Sequence, residues 1–423
     1  MKTFNCIRLL RRLWVLTLAS AVFAVAGAPL RVGMASKVLT PNPLLPISGG
    51  VGPSTPVKGK AGELQSRALV VEKDGEFLAM VSVDFLGFPS ALGDRVRELV
   101  KDIPAERILI GATHTHSAPD PYGFPNGRGG IDSDLDYLDK VCGWIAASIN
   151  QARADLGEVD LHVAAGQAKG KIAYNAYAEA LFDPTCSVLQ FRHKGTGKVA
   201  ATLINYACHP EVLGTRSRLV SPDFVGPLYE RLEAQGGGFG IFFNAALGGM
   251  VTADNRQDDG SEIQNWQECQ RIGRLLADEA LRLVSESSPV EAPDLRVAHR
   301  RVAFEVESEE LQAIMKFSPI EFVIDELDRP VTSIQVIDLG PARLATIPGE
   351  ALPNVGAYLK RRLRADYPFL LGLTNDAFGY ILAAEDYFAF PRYNYISRTS
   401  LGEKTADTLA DAIESMRQEL DGD

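Results

Sequence analysis

The chain has few of the residues that usually mark a site. Its 423 residues hold six histidines, five cysteines and three tryptophans. No C-x-x-C pair occurs and the cysteine spacings are wide and irregular, which argues against a thiolate zinc knuckle. Positive charge is also in deficit. With 43 Lys and Arg against 54 Asp and Glu, the net charge of −11 argues against non-specific nucleic-acid binding and against a polybasic membrane surface. After residue 28 there is no Pro- or Ser-rich linker, no evident repeat and no low-complexity block, so nothing divides the chain into separate units.

What is present is a globular composition, 46% hydrophobic and 23% charged, long enough for a large core. Lys2, Arg8, Arg11 and Arg12 precede the apolar run LWVLTLASAVFAVAGA, which ends in small residues before Pro29. A basic start, a short apolar stretch and a small-residue end read as a secretory signal over 1–28, and so as export to the periplasm or outside. The run is short for a full membrane span, which makes an anchor the weaker alternative. Cys6 would leave with the signal. Cys142, Cys186, Cys208 and Cys269 remain, either in one or two disulfides or as buried thiols.

From there apolar strand-like runs alternate with helical patterns, which predicts an α/β fold. The expectation is one large catalytic domain over 29–423, with a mixed β-sheet core flanked by helices. ALVVEK and FLAMVSVDFLG form a hairpin about Asp74-Gly75. RILIGATHTH, VAATLINYACH, GIFFNAALGG, RLATIPGE and FLLGLTNDAFGYI read as strands running into loops. PSALGDRVRELVKDI, YLDKVCGWIAASINQARADL, FVGPLYERLEAQ, a long segment near 261–287, VGAYLKRRLRADY and TADTLADAIESMRQEL read as helices.

His114, His209, Glu350 and Tyr380 each stand at or after the C-terminal end of a strand-like run. Functional groups collect at such ends because the packed sheet fixes them. In His114-Thr115-His116 an extended backbone would put both imidazoles on one face, suited to one ion or to a ligand with a proton carrier beside it. Imidazoles with a carboxylate favour zinc over the all-oxygen shells of magnesium or calcium. Each residue also has a structural alternative. The histidines can bond to nearby backbone, Glu350 can cap the helix that follows, and Tyr380 can be core. His162, His193 and His299 lie in charge-flanked segments and read as surface residues. Gly248-Gly249 allows a tight turn or a close ligand approach, but lacks the spacing of a phosphate or dinucleotide loop.

Together ATHTHSAPD, NYACHPEVLG with LVSPDFVG, FFNAALGGMVT, TIPGE and GYILAAEDY resemble, in order, the amino-terminal catalytic domain of the neutral (alkaline, non-lysosomal) ceramidase family. The resemblance spans most of the chain after residue 28. It implies a zinc-dependent amide hydrolase whose ligands would be His114, His209, Glu350 and Tyr380. His116 would line the same pocket as a proton-handling neighbour. Tyr393 lies one residue from the position of a family tyrosine, and Asp223 matches a family aspartate near the site. Thr252 stands where the family has a serine, and Ala176 beside Asn175 where it has an arginine. The family's carboxy-terminal immunoglobulin-like domain has no counterpart here. The expected partner is a small-molecule or lipid amide, with transient contact to a membrane surface and no nucleic acid.

The mechanism this implies is attack on the amide by metal-activated water, with His116 or Tyr393 protonating the leaving amine and Thr252 hydrogen-bonding the oxyanion. As a nucleophile Thr252 ranks lower, because no activating base for it is visible in the sequence. Two alternatives stand beside it: a zinc hydrolase of another amide, ester or glycan-linked group, and a catalytically silent binding protein on the same scaffold.

Overall fold

The computed structural model describes residues 28–422, so the segment read as a signal lies, but for Ala28, outside the described residues. Twelve principal strands build the core. The first four are β1 (Arg31–Val38), β2 (Gln65–Lys73), β3 (Glu76–Val83) and β4 (Ile108–Ala112). The next four are β5 (Gly157–Gln167), β6 (Thr185–His193), β7 (Val199–Tyr206) and β8 (Phe239–Asn244). The last four are β9 (Leu295–Ala303), β10 (Val331–Leu339), β11 (Ala342–Thr346) and β12 (Tyr367–Leu371). The first eight form one mixed sheet in the order β8-β7-β6-β5-β1-β2-β3-β4, and the rest a four-stranded sheet in chain order.

The eight-stranded sheet is two halves, joined where Arg31 and Val32 pair with Glu158 and Gly157. Each half, and the smaller sheet, has the same plan. Two antiparallel pairings are followed by one parallel pairing: β1/β2, β2/β3, β3/β4; then β5/β6, β6/β7, β7/β8; then β9/β10, β10/β11, β11/β12. A helix carries each parallel crossover: α1 (Ser90–Leu99), α3 (Val225–Ala234) and α6 (Pro353–Leu363). Another helix closes each unit: α2 (Leu135–Ala154), α4 (Trp266–Val284) and α8 (Thr405–Asp421). Between α4 and α8 lie α5 (Glu309–Phe317) and α7 (Asn394–Arg398). The chain is therefore three β-β-β-α-β-α units, a repeat that the sequence analysis did not find.

Alternation explains how the units fit. Successive strand residues face opposite sides, and here both sides are buried. Leu69, Met80, Leu203, Ile241, Leu344 and Phe369 turn to one central core shared by all three units. Their neighbours Val70, Val81, Ile204, Phe242, Ala345 and Leu370 turn outward to the helices. The Asp74-Gly75 hairpin turn has positive φ at both residues, 53° and 85°, the type I′ twist expected of that dipeptide. His162, read as a surface residue, is buried instead, with Nδ1 3.1 Å from both the carbonyl and the hydroxyl of Ser287. His193 and His299 are half-buried. All four cysteines among the described residues are buried free thiols. No helix among the described residues is long and apolar enough to cross a membrane.

Because the first, third and fourth strands of a unit run the same way, three loops from every unit gather at one end of the molecule. They interlock there. Asn244 donates to the Thr113 carbonyl at 2.7 Å and accepts from the Cys208 amide at 3.0 Å. Ala112 N reaches the Leu373 carbonyl at 3.0 Å, and Gly372 N the Asn244 carbonyl at 2.8 Å.

Candidate metal centre

The gathered loops hold the histidines. His114 follows β4, His209 follows β7 and Glu350 follows β11, so each unit supplies one residue. The backbone at His114 is not extended: its φ is 72°, in the left-handed region. His114 and His116 thus meet through a turn rather than as same-face residues of one strand. Their ring centroids still lie 4.9 Å apart, with His209 4.8 Å from His114 and 5.7 Å from His116.

Backbone carbonyls fix the ring tautomers. His114 Nδ1 faces the Leu86 carbonyl at 2.5 Å and His209 Nδ1 faces the Val251 carbonyl at 2.7 Å. A carbonyl can only accept, so each Nδ1 carries a proton and each Nε2 turns toward the Glu350 carboxylate. His209 Nε2 is 3.1 Å and His114 Nε2 3.5 Å from Oε2 of Glu350. This is the arrangement that orients metal-ligating imidazoles, with the second ring nitrogen held by a carbonyl. Burial alone would lower the His209 pKa, but the Glu350 hydrogen bond and nearby carboxylates outweigh it and lift it to about 9. Burial would raise the Glu350 pKa, but the two imidazoles outweigh it and hold the carboxyl below its ordinary range.

His116 completes the group. The ligand atoms of His114, His116 and His209 lie within 4.8 Å of one another, and the three can hold a metal ion. Its Nδ1 stands 3.5 Å from Oε2 of Glu211, while its Nε2 is buried without a hydrogen-bond partner among the described residues. Burial pushes the His116 pKa down to about 4, so the ring stays neutral. A buried donor atom left unpartnered beside two fixed imidazoles and a carboxylate fits a cation or a bound ligand.

Glu350 caps no helix; its backbone pairs in parallel with Tyr380. The Tyr380 hydroxyl donates to Met250 Sδ at 3.2 Å, a weak acceptor, and burial raises its pKa. Thr252 pairs by backbone with His209, and its hydroxyl hydrogen-bonds Glu211. Glu211 is therefore the carboxylate beside Thr252 that the sequence left unidentified. Its signal was its place two residues beyond His209. Asp223 anchors the loop after His209, accepting from Leu213 N at 2.9 Å and Phe224 N at 2.8 Å. Tyr393 stacks on Tyr177 with centroids 6.0 Å apart, while Tyr395 of α7 approaches the Tyr380 ring at 5.9 Å.

Two cavities meet at the group. One, of about 800 Å³, is lined by Leu86, Phe124, Leu311, Ile314, Met315 and Phe322 and reaches His114, His116, Glu350 and Tyr380. The other, of about 970 Å³, reaches His116, Glu211, Thr252 and Ala176. The Gly248-Gly249 turn serves packing rather than a ligand. A Cβ at Gly248 would lie 2.2 Å from the Glu350 carbonyl oxygen.

Among solved structures the fold is similar to neutral ceramidase from Pseudomonas aeruginosa, with a TM-score of 0.75 at 18% identity, over 93% of this chain and 74% of that one. A ceramidase complexed with C2 is similar at TM-score 0.73 and 17% identity, over 93% of this chain and 75% of that chain. No family model and no curated protein matches by sequence. The likeness shows a ceramidase-like fold: a mixed sheet flanked by helices, as expected from the sequence.

Proposed function

We propose that the protein is an exported, zinc-dependent hydrolase of N-acyl amides. The observation that carries this is a pair of buried imidazoles, each fixed by a carbonyl and aimed at one carboxylate at the edge of an apolar cavity. The ordered motifs and the ceramidase-like fold support the same reading. His114, His209 and Glu350 would hold the ion, with Tyr380 beside them; two nitrogens and a carboxylate favour zinc. Zinc bound there would supply Lewis acidity toward an amide carbonyl and toward water.

The chain's own residues do the rest. The apolar cavity takes the acyl chain and keeps water off it. In hydrolysis the amide C–N bond breaks, a C–O bond to water forms, and the nitrogen leaves with an added proton. His116 faces the site with an unprotonated Nε2, which takes a proton from the attacking water and passes it to the leaving nitrogen, while Glu211 on Nδ1–H holds its ring. With its one hydroxyl proton donated to Glu211, Thr252 orients that carboxylate, and in this reading it neither attacks nor serves the oxyanion unless it turns that proton away from Glu211. Tyr395 lines the cavity and Tyr393 does not, so in this reading Tyr395 replaces Tyr393 as the alternative to His116 for protonating the leaving amine. Phe317 and Leu327, 73% and 71% exposed near the α5 wall of this cavity, support transient contact with a lipid surface.

Turnover of an N-dodecanoyl amide by protein stripped of metal and then reloaded with zinc tests the proposal. Activity should vanish on stripping, return with zinc, and fall at least ~100-fold in His209→Ala. Equal turnover by stripped protein would remove the metal from the reaction, and no turnover with zinc restored would remove the hydrolase. Export is tested by mass spectrometry of the secreted chain, whose first residue should be Pro29 or lie within a few residues of it; retention of residues 1–28 would contradict cleavage.

A further inference from the structure

The cavities on either side of the histidines are unlike in chemistry, and the difference bears on which amide the site takes. The first has a wall of side chains from α5 and the segment after it: Leu311, Ile314, Met315 and Phe322. The second mixes Glu211, Arg216, Glu262 and Gln264 with the rings of Tyr174 and Tyr177, and is somewhat the larger. Gly49 and His116 belong to both linings, so the partition between the cavities lies at the centre itself.

An amide held there must send its acyl half and its amine half different ways. The apolar side suits one alkyl chain. A second alkyl chain on the other side would press against the Glu211 and Glu262 carboxylates, the Arg216 guanidinium and the Gln264 amide, and would take them from water without replacing their hydrogen bonds. Such burial costs on the order of 1–3 kcal/mol per polar group. A compact group rich in hydroxyls satisfies the same donors and acceptors. The charges are mixed, two carboxylates against one guanidinium, which suits a neutral partner better than an acidic one. Ala176, on the same wall, ends at Cβ and leaves width for a ring.

We propose that the amine half of the substrate is a small, neutral, polyhydroxylated group such as an amino sugar, bound in the polar cavity, so that the enzyme prefers single-tailed N-acyl amides to two-tailed ones. This rests on the hydrolase reading above. The water added at the C–N bond leaves a fatty acid in the apolar cavity and a protonated amine facing Glu211, from which each departs separately.

A matched set tests it: N-dodecanoyl glucosamine, N-dodecanoyl glycine and N-dodecanoyl sphingosine, with zinc-loaded protein in detergent micelles, read by kcat/KM and by calorimetric binding. The glucosamine amide should exceed the sphingosine amide at least about 10-fold in kcat/KM, because the sphingosine tail would strip water from polar groups that the sugar hydroxyls satisfy. Gln264→Leu with Thr215→Val should raise KM for the glucosamine amide alone. Equal or faster turnover of the sphingosine amide overturns the inference and leaves the hydrolase standing, and a preference for the glycine amide overturns the neutral assignment. If no amide is cleaved the hydrolase falls, and binding decides the inference: tighter binding of the glucosamine amide upholds it, equal or weaker binding overturns it.

Discussion

At the scale of single residues, hydrogen bonds outside the candidate centre decide which atoms face inward. Leu86 and Val251 carbonyls take the Nδ1 protons, so both Nε2 atoms point at Glu350. The same scale contains a buried acid that sets a pH response. Asp84 is enclosed between the Gln65 amide, at 2.8 Å, and the Thr113 hydroxyl, at 3.1 Å, and burial lifts its pKa to about 7. Its folded pKa lies above the ordinary 3.8, so the folded state keeps a proton that the unfolded chain has lost between those values. That contribution to stability is complete below pH ~4 and is lost as pH rises through 7. Melting curves of Asp84→Asn and wild type should therefore shift in favour of the variant between pH 5 and pH 8; a constant difference would show that Asp84 is already ionised. The histidines and Glu350 were legible as chemistry in the sequence, since polar residues ending apolar runs are conspicuous. Glu211 was not, because a glutamate in a loop looks like any solvated charge until the fold turns it against His116.

At the scale of elements, close backbone approach sets the position of Glu350. Gly248 lies against the Glu350 carbonyl, and at Gly379, with φ 82°, a Cβ would meet the Thr399 carbonyl oxygen at 2.1 Å. Gly248→Ala should push the Glu350 segment away, costing on the order of 1–3 kcal/mol of stability and weakening zinc binding. Thermal melts and zinc titration check this, and an unchanged zinc affinity would mean that the segment adjusts without moving its carboxylate. Helix α5 walls the apolar cavity through Ile314, which is buried. Ile314→Asn should therefore lower kcat/KM for long acyl chains more than for short ones, read from a chain-length series. Most strands and helices were legible from their periodicity, with ends displaced by a few residues. The turn at His114 was not: nothing in THTH announces a positive φ, and the interlocked loops impose it.

At the scale of the molecule, three similar units share one core and send loops to one site, the first from after its fourth strand and the other two from after their third. The repeat was invisible in the sequence for a physical reason. The strand exits VSVDFLG, INYACHP and LATIPGE keep the alternation that buries both faces, but almost no identities. Packing constrains pattern and volume more than residue type. Asn205 ties two units together, donating to the Phe243, Asn244 and Leu370 carbonyls at 3.0, 3.0 and 2.8 Å. Asn205→Ala removes those three bonds, with Gly372 N left as the Asn244 carbonyl's partner, and should cost about 3 kcal/mol, seen as a lower midpoint in one cooperative denaturant transition. A separate early transition would instead show that the units unfold independently. The central claim is that the units converge to hold zinc, and anomalous diffraction at the zinc edge of zinc-loaded crystals tests it most directly. One strong peak is expected about 2.1 Å from His114 Nε2, His209 Nε2 and a Glu350 oxygen. No peak there, or a peak elsewhere in the chain, would contradict the account.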